Sequence, residues 1–469
     1  MSPIQRENTK RGTTEWKITQ PSQGAEIAGF ASLTSVQAGQ VIKLYISTSD
    51  STFSVDLYRM GWYQGLGGRK ILGPIRRKGM LQTTPPPDPN TGLVECNWTS
   101  QISLKTGRNW TSGFYLAKLT AQSGAQSYII FVVRNDSRPS ALLFQSSVAT
   151  YQAYNGWGGK SLYPFDSKGG VYASKVSFNR PYTWTFSSGE SPWWVGSGDF
   201  MRWEYFMVRF LEREGYDVSY STDIDTHENP NLLFGHKAFL VVGHDEYWSW
   251  EMRQNVTWAR DQGVGLGFFS ANDCWWQVRF EPSAVTGQKD RTLVCYKLNA
   301  PKQDPDASNP ATYYLITTRW DLPHGNLPGD PEDPLIGIMY NFAEPVNTDL
   351  LIADASNWIF NGTGLANGDK LSGLVGYEAD AVNKNPPPGL SVLAHSPYLY
   401  TDGTTRYADM TVYQAASGAT VFATGSIQWG WGLDNGGLDD LSAQTPPANL
   451  VSVPAQQITR NVLSRFLGR

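Results

Sequence analysis

The tripeptide His244-Asp245-Glu246 follows an apolar run, Ala238 to Val242, after one glycine, Gly243, and its H-x-E spacing lets an imidazole and a carboxylate point the same way from extended backbone. Such a pair can ligate a metal ion or serve as general acid and base. The bland reading of the same residues is a Glu246 that salt-bridges or caps the next helix and a His244 bonded within its own loop. Three more polar stretches follow expected strands: Ala149-Thr-Tyr-Gln-Ala-Tyr-Asn155, Thr222-Asp-Ile-Asp-Thr-His227 and Ser270-Ala-Asn-Asp273. Cys274 stands where a nucleophile after a buried strand would stand, but no G-x-C-x-G elbow surrounds it and Trp275 and Trp276 follow, which favours a buried structural thiol. Asp223, Asp225, His227 and Glu228 match no EF-hand spacing and read as a solvated strand-end loop. His236, His324 and His395 are isolated and receive no role.

The elements that must position these tips alternate strand and helix. Ala141 to Phe144, Ala238 to Val242 and Val264 to Phe269 are short apolar runs, as in parallel strands covered on both faces, and Asp217 to Ser221 reads as a further strand among them. Asp199 reads as the N-cap of a helix carrying Trp203, Phe206, Met207, Phe210 and Leu211 on one face, with Gly215 at its end. Ser249 caps a further helix that runs to about Asp261. Ala419 to Thr424 and the helix Gln456 to Leu467 close the same sheet. In open sheets of this kind ligands bind outside the carboxyl ends of the strands, so the four polar tips can share one pocket.

Before residue 134 the pattern is different. Val41 to Ser47, Phe53 to Arg59, Gly113 to Thr120 and Ser127 to Arg134 read as strands separated by Gly- and Pro-rich turns, which predicts an immunoglobulin-like β-sandwich over residues 1–138. A polar hinge, Arg134 to Pro139, leads into an α/β domain over 139–469, with a strand-rich insertion at about 280–418.

A chain of 469 residues fits two domains, and a net charge of -4 provides no broad basic surface for nucleic acid. No apolar stretch is long enough for a signal peptide or a membrane span, and the three cysteines form no even disulfide framework, so a reducing, cytoplasmic setting is favoured. The 18 Trp and 23 Tyr mostly fill a broad core; alternatively Trp157, Trp193, Trp194, Trp275 and Trp276 stack on sugar faces.

Several ordered segments carry a family resemblance: Thr150 to Tyr163 (TYQAYNGWGGKSLY), Val176 to Tyr182 (VSFNRPY), Gly215 to Asp225, Gly243-His-Asp-Glu-Tyr247, Ser270-Ala-Asn272, Val375 to Asp380 and Gly425 to Gly432. In these the chain resembles the large (beta) subunit family of N,N-dimethylformamidase, an amide hydrolase. The resemblance implies a class I amidotransferase-like parallel α/β core and a mononuclear, ferric iron held by two tyrosines and one glutamate. Glu246 matches the glutamate, His244 its neighbouring histidine, and Asn272 an asparagine on the next strand tip. For the tyrosines the resemblance points to Tyr154 and Tyr182, with Tyr151 competing; Asp245 stands where the enzyme has proline.

The combined expectation is a metal-dependent hydrolase of a carbon–nitrogen bond in a small amide, with Glu246, Tyr154 and Tyr182 as ligands, His244, Asn272 and Glu246 as catalytic groups, no nucleic-acid or membrane partner, and a homo-oligomer allowed. The alternative is a carbohydrate-recognition or adhesion protein, or a glycan-acting enzyme, built on the tryptophans.

Overall fold

A computed structural model describes residues 1–24, 26–183, 194–341, 345–436 and 450–469. The chain is mixed α/β. Its first strands build two sheets. One orders Ile27–Ala31, Val41–Thr48 and Ser100–Lys105; the other orders Ser35–Gln37, Gln126–Arg134, Gly113–Ala121, Thr52–Met60 and Gly68–Lys78. Side chains from both enter one apolar cluster, Ile42, Leu44, Ile46 and Ile102 against Phe53, Val55, Leu119 and Ile129. The four strands expected here are present to within about a residue at each end. Ile27–Ala31, Gly68–Lys78 and Ser100–Lys105 are additions that the alternation did not show.

The second part is organised on a seven-stranded sheet, in the order Val218–Thr222, Leu142–Ser146, Ala238–His244, Gly265–Ala271, Thr420–Ala423, Thr405–Gln414, Ser391–Leu399. The first five strands are parallel neighbours, and the last two pair antiparallel. Every residue of Leu142–Ser146, Val218–Thr222, Ala238–His244 and Gly265–Ala271 is buried, which is why the centres of Ala238–His244 and Gly265–Ala271 read as near-continuous apolar runs, whereas Val218–Thr222 buries Ser219, Ser221 and Thr222 as well. The strands Thr405–Gln414 and Ser391–Leu399 belong to this sheet, so the stretch 280–418 is only in part an insertion. The rest of it holds a hairpin, Val346–Leu351 with Lys370–Tyr377, and short helical turns between 297 and 336.

Two helices follow the sequence signals closely. Trp250–Asp261 is capped by Ser249, whose Oγ accepts from the Met252 N–H, and the C-terminal helix Val453–Phe466 is capped by Ser452. The helix after Asp199 opens instead with a π turn, Phe200–Glu204, before the α-helix Tyr205–Arg213, and Asp199 makes no side-chain cap. Residues 222–228 are not a solvated loop. They form the helix Asp223–Glu228 with a Thr222/Asp225 capping box; Asp223 and Asp225 are buried, Asp223 accepting from the Ala149 N–H and Asp225 from Ser35 and Arg134. Backbone and neighbouring side chains hold both carboxylates inside the fold, though Asp223 Oδ1 has no hydrogen-bond partner among the described residues.

The passage from the first sheets to the seven-stranded sheet falls between Arg134 and Leu142. The two parts are joined by a buried ion pair, Arg59 Nη2 to Glu212 Oε1 at 2.7 Å, with both side chains fully excluded from solvent.

Candidate active site

Read in chain order, the five parallel strands run 2-1-3-4-5, so the order reverses between Leu142–Ser146 and Ala238–His244. At such a switch point the loops leaving two neighbouring strands diverge and open a crevice. The helix Val148–Tyr154 leaves the first strand, and Asp245-Glu246 leaves the second. Thr150 Oγ1 accepts from the Glu246 N–H at 2.9 Å, and the Glu246 carbonyl accepts from the N–H groups of Trp275 and Trp276 at 2.9 Å each. The backbone of Glu246 is thereby pinned between two strand tips. Gly243, just before it, has φ +77, and a Cβ there would lie 2.5 Å from Trp203 Cβ, so only glycine lets the strand end pass the π turn.

Two phenols converge on the Glu246 carboxylate. Tyr154 Oη donates to Oε2 at 2.7 Å, and Tyr163 Oη lies 2.9 Å from Oε1 and 3.0 Å from Oε2. The two rings stack at 4.4 Å, and Phe165, exposed to solvent, stacks on Tyr163 at 4.9 Å. Behind Tyr163 a chain of donors continues: Lys297 Nζ donates to Tyr247 Oη at 2.7 Å, and Tyr247 Oη donates to Tyr163 Oη at 2.6 Å. Lys297 Nζ also sits 3.4 Å from the centre of the Tyr163 ring.

On the other side of Glu246, His244 Nε2 stands 3.5 Å from Glu246 Oε2, 3.4 Å from Tyr154 Oη and 3.8 Å from Glu378 Oε2. Asn272, at the tip of Gly265–Ala271 with φ +49, donates from Nδ2 to Glu378 Oε2 at 2.6 Å and from its backbone N–H to Asp380 Oδ1 at 2.8 Å. Its Oδ1 is buried and has no hydrogen-bond partner among the described residues.

These contacts set the charge states. Burial opposes a charged His244, but Glu378 and Glu246 beside it outweigh burial and push it up to about 10. Burial likewise opposes ionisation of Glu246, and the hydrogen bond and charge of His244, with Lys297 and Tyr154, hold it below its ordinary value. Burial and the Glu246 charge drive Tyr154 and Tyr163 well above the usual phenol range. The resting site is thus an anionic carboxylate fed by two neutral phenols and a cationic imidazole.

The structure brings together Tyr154, Glu246, His244 and Asn272 and does not bring Tyr182 to them. Tyr182 lies edge-on to Tyr151 at 6.1 Å and lines a separate small cavity with Arg180 and Arg291; Tyr151 itself accepts from Ser146 Oγ. Tyr163 occupies the place the sequence reading gave to Tyr182. Tyr163, Tyr247 and Glu378 each lay inside a segment already singled out, but nothing in one sequence says which tyrosine of a segment folds back, and Lys297 carried no signal at all.

Among the described residues no group of three His, Cys, Asp or Glu side chains is placed to hold a metal, so any ion here needs the phenol oxygens. Cys274 is buried, with its thiol pushed well above its ordinary value by that burial, and is no nucleophile. Among the described residues, the candidate stacking tryptophans are engaged by the protein's own side chains. Trp194, Trp275 and Trp276 are buried, Arg319 lies over the Trp275 ring and Lys297 over Trp276, and Trp157 packs edge-on against Trp98; Trp193 lies outside the described residues.

A family model described as N,N-dimethylformamidase beta subunit-like, C-terminal, matches residues 54–441. No curated protein gives a significant match. Among solved structures, a cycloisomaltooligosaccharide glucanotransferase of Paenibacillus sp. aligns with 42% of this chain and 27% of its own at 10% identity, with a TM-score of 0.15, too loose to define a shared fold. No helix among the described residues is long and apolar enough to cross a membrane.

Proposed function

Since the chain belongs to the N,N-dimethylformamidase beta subunit-like family, we propose that it hydrolyses a carbon–nitrogen bond of a small amide at the crevice around Glu246. The observation that carries this reading is the convergence of two phenol oxygens on both oxygens of one buried carboxylate, at a sheet's switch point. The 2-1-3-4-5 strand order supports an amidotransferase-like core, and the single cluster shared by the first two sheets supports an immunoglobulin-like sandwich with its boundary near residue 139.

The donor set fits a mononuclear iron held by Glu246, Tyr154 and Tyr163: one carboxylate and two phenols are hard oxygen donors, and they lie close enough to converge on one ion once the phenol protons are lost. Bound there, ferric iron would act as a Lewis acid on an amide carbonyl. The protein's own groups do the rest. The charged imidazole of His244 donates toward the substrate oxygen, and Glu378, held by Asn272, is placed to take a proton from an attacking water and pass it to the departing amine. Lys297, through Tyr247, fixes the orientation of the Tyr163 hydroxyl and favours its loss of a proton.

A panel of N-alkyl formamides and acetamides, assayed by release of the amine from the iron-loaded protein, tests the reading. Turnover in wild type that disappears in Glu378→Gln is expected. Absence of amide turnover from protein that carries full iron overturns it.

A further inference from the structure

Away from the catalytic crevice, two arginines are buried at the seam between the first sheets and the α/β part. Arg180 is 1% exposed and Arg291 3%. Neither forms an ion pair with a carboxylate among the described residues. Arg180 gives its N–H groups to neutral oxygens: Gln152 Oε1 and the carbonyls of Gln152, Asn155, Trp157 and Lys160. Arg291 donates from Nε to Asn179 Oδ1 and from Nη2 to the carbonyls of Ala31 and Phe178, which leaves Nη1 without a hydrogen-bond partner among the described residues. The Tyr182 hydroxyl, close enough to both guanidinium groups to feel their charge, has no partner there either. All three side chains line one small cavity of about 20 Å³, together with Phe30, Thr34 and Phe178.

Burying a cation without a counter-charge is costly, so its compensation should be sought in what the cavity can hold. The acid whose charge reaches Arg291 is Glu95, and its oxygens are engaged by Ser177, Asn179 and the Ala284 N–H. With Glu95 counted, the cluster of Arg180, Arg291 and Glu95 keeps one net positive charge. The cavity has space for about one water-sized occupant, and two of its lining residues, Arg291 and Tyr182, each keep a donor unused among the described residues, Nη1 and Oη.

We propose that this cavity is a binding site for one small monovalent anion of halide size, held between Arg291 and Tyr182 and neutralising the buried arginine pair. Such an anion would weld the seam between the two parts of the molecule. Because Arg180 holds the carbonyls at the end of Val148–Tyr154 and at Trp157 and Lys160, the anion would also steady the segment that carries both site tyrosines.

The experiment is thermal unfolding of the full chain in bromide against gluconate at constant ionic strength, with anomalous scattering from bromide-grown crystals. The proposal expects a saturable rise in Tm with bromide alone and an anomalous peak between Arg291 and Tyr182. Arg291→Gln should abolish the bromide-dependent rise. Should that variant not fold, Tyr182→Phe, which removes one hydroxyl donor, should raise the half-saturating bromide concentration about five- to tenfold. Equal Tm changes in bromide and gluconate, no peak in the cavity, or an unchanged bromide response in Tyr182→Phe overturns it.

Discussion

Replacing Glu246 by alanine removes the one carboxylate on which both phenols converge, so the variant is expected to lose nearly all bound metal along with activity. Replacing His244 by alanine leaves those three oxygens in place. It should keep its metal and lose about 10²- to 10⁴-fold in turnover, as removal of a positioned proton donor generally does. Metal content and kcat measured on the same preparations separate the two. The tyrosines make a sharper contrast. Tyr154→Phe and Tyr163→Phe should each bleach part of the phenolate-to-metal absorption, because each removes one phenol oxygen from beside Glu246. Tyr182→Phe should leave the spectrum unchanged, since its hydroxyl faces the Arg180–Arg291 cavity instead. A spectrum altered by Tyr182→Phe and untouched by Tyr163→Phe would reverse the assignment made from the fold.

At the scale of elements, strands and caps answer to different tests. Ser249→Ala should cost about 1 kcal/mol through the lost cap of Trp250–Asp261, measurable by urea unfolding. The strand tips also hold buried acids whose protonation ties stability to pH. Glu204, in the π turn, accepts from the Ser147 N–H, while burial pushes its carboxyl up to about 8. A raised folded-state pKa means the folded form binds the proton more tightly. The contribution is complete below about pH 4.5 and is lost as pH climbs through about 8. Glu204→Gln, which keeps an acceptor for Ser147, should therefore shrink the fall in Tm between pH 5.5 and 8.5, and an unchanged fall would exclude Glu204 as a contributor. These elements were the most readable part of the sequence. Ala238–His244 and Gly265–Ala271 announced themselves as apolar runs, and the Ser249 cap and the Gly215 helix end stood where the residue types require, that glycine with positive φ. Residues 222–228 form a helix rather than the expected loop, and the partners that bury its acids, Ala149 and Ser35 among them, lie far away in sequence. Glu378 and Lys297 reach the site from 106 and 25 residues beyond Asn272, and only the three-dimensional fold brings them there. Local spacing can place Glu246 beside His244; it cannot choose Tyr163 over Tyr182.

For the whole molecule, the two parts are held by more than the 135–141 passage. Arg59 and Glu212 pair across the seam with no solvent access, so Glu212→Ala leaves a buried guanidinium uncompensated and should cost about 3–5 kcal/mol. Mild proteolysis is expected to cut near Asn135 to Pro139, an exposed stretch, yet leave the fragments associated in gel filtration until the Arg59–Glu212 pair is broken. Wild-type fragments that separate at once would show that the seam contributes little. The central claim concerns the crevice to which this architecture leads, and the most direct measurement is metal analysis with visible absorption on protein purified without chelator, wild type beside Glu246→Ala. The account predicts near-stoichiometric iron and a phenolate-to-metal band in wild type, with both lost in the variant. Wild-type protein that hydrolyses amides free of metal, or a variant with full iron and an unchanged band, would contradict it.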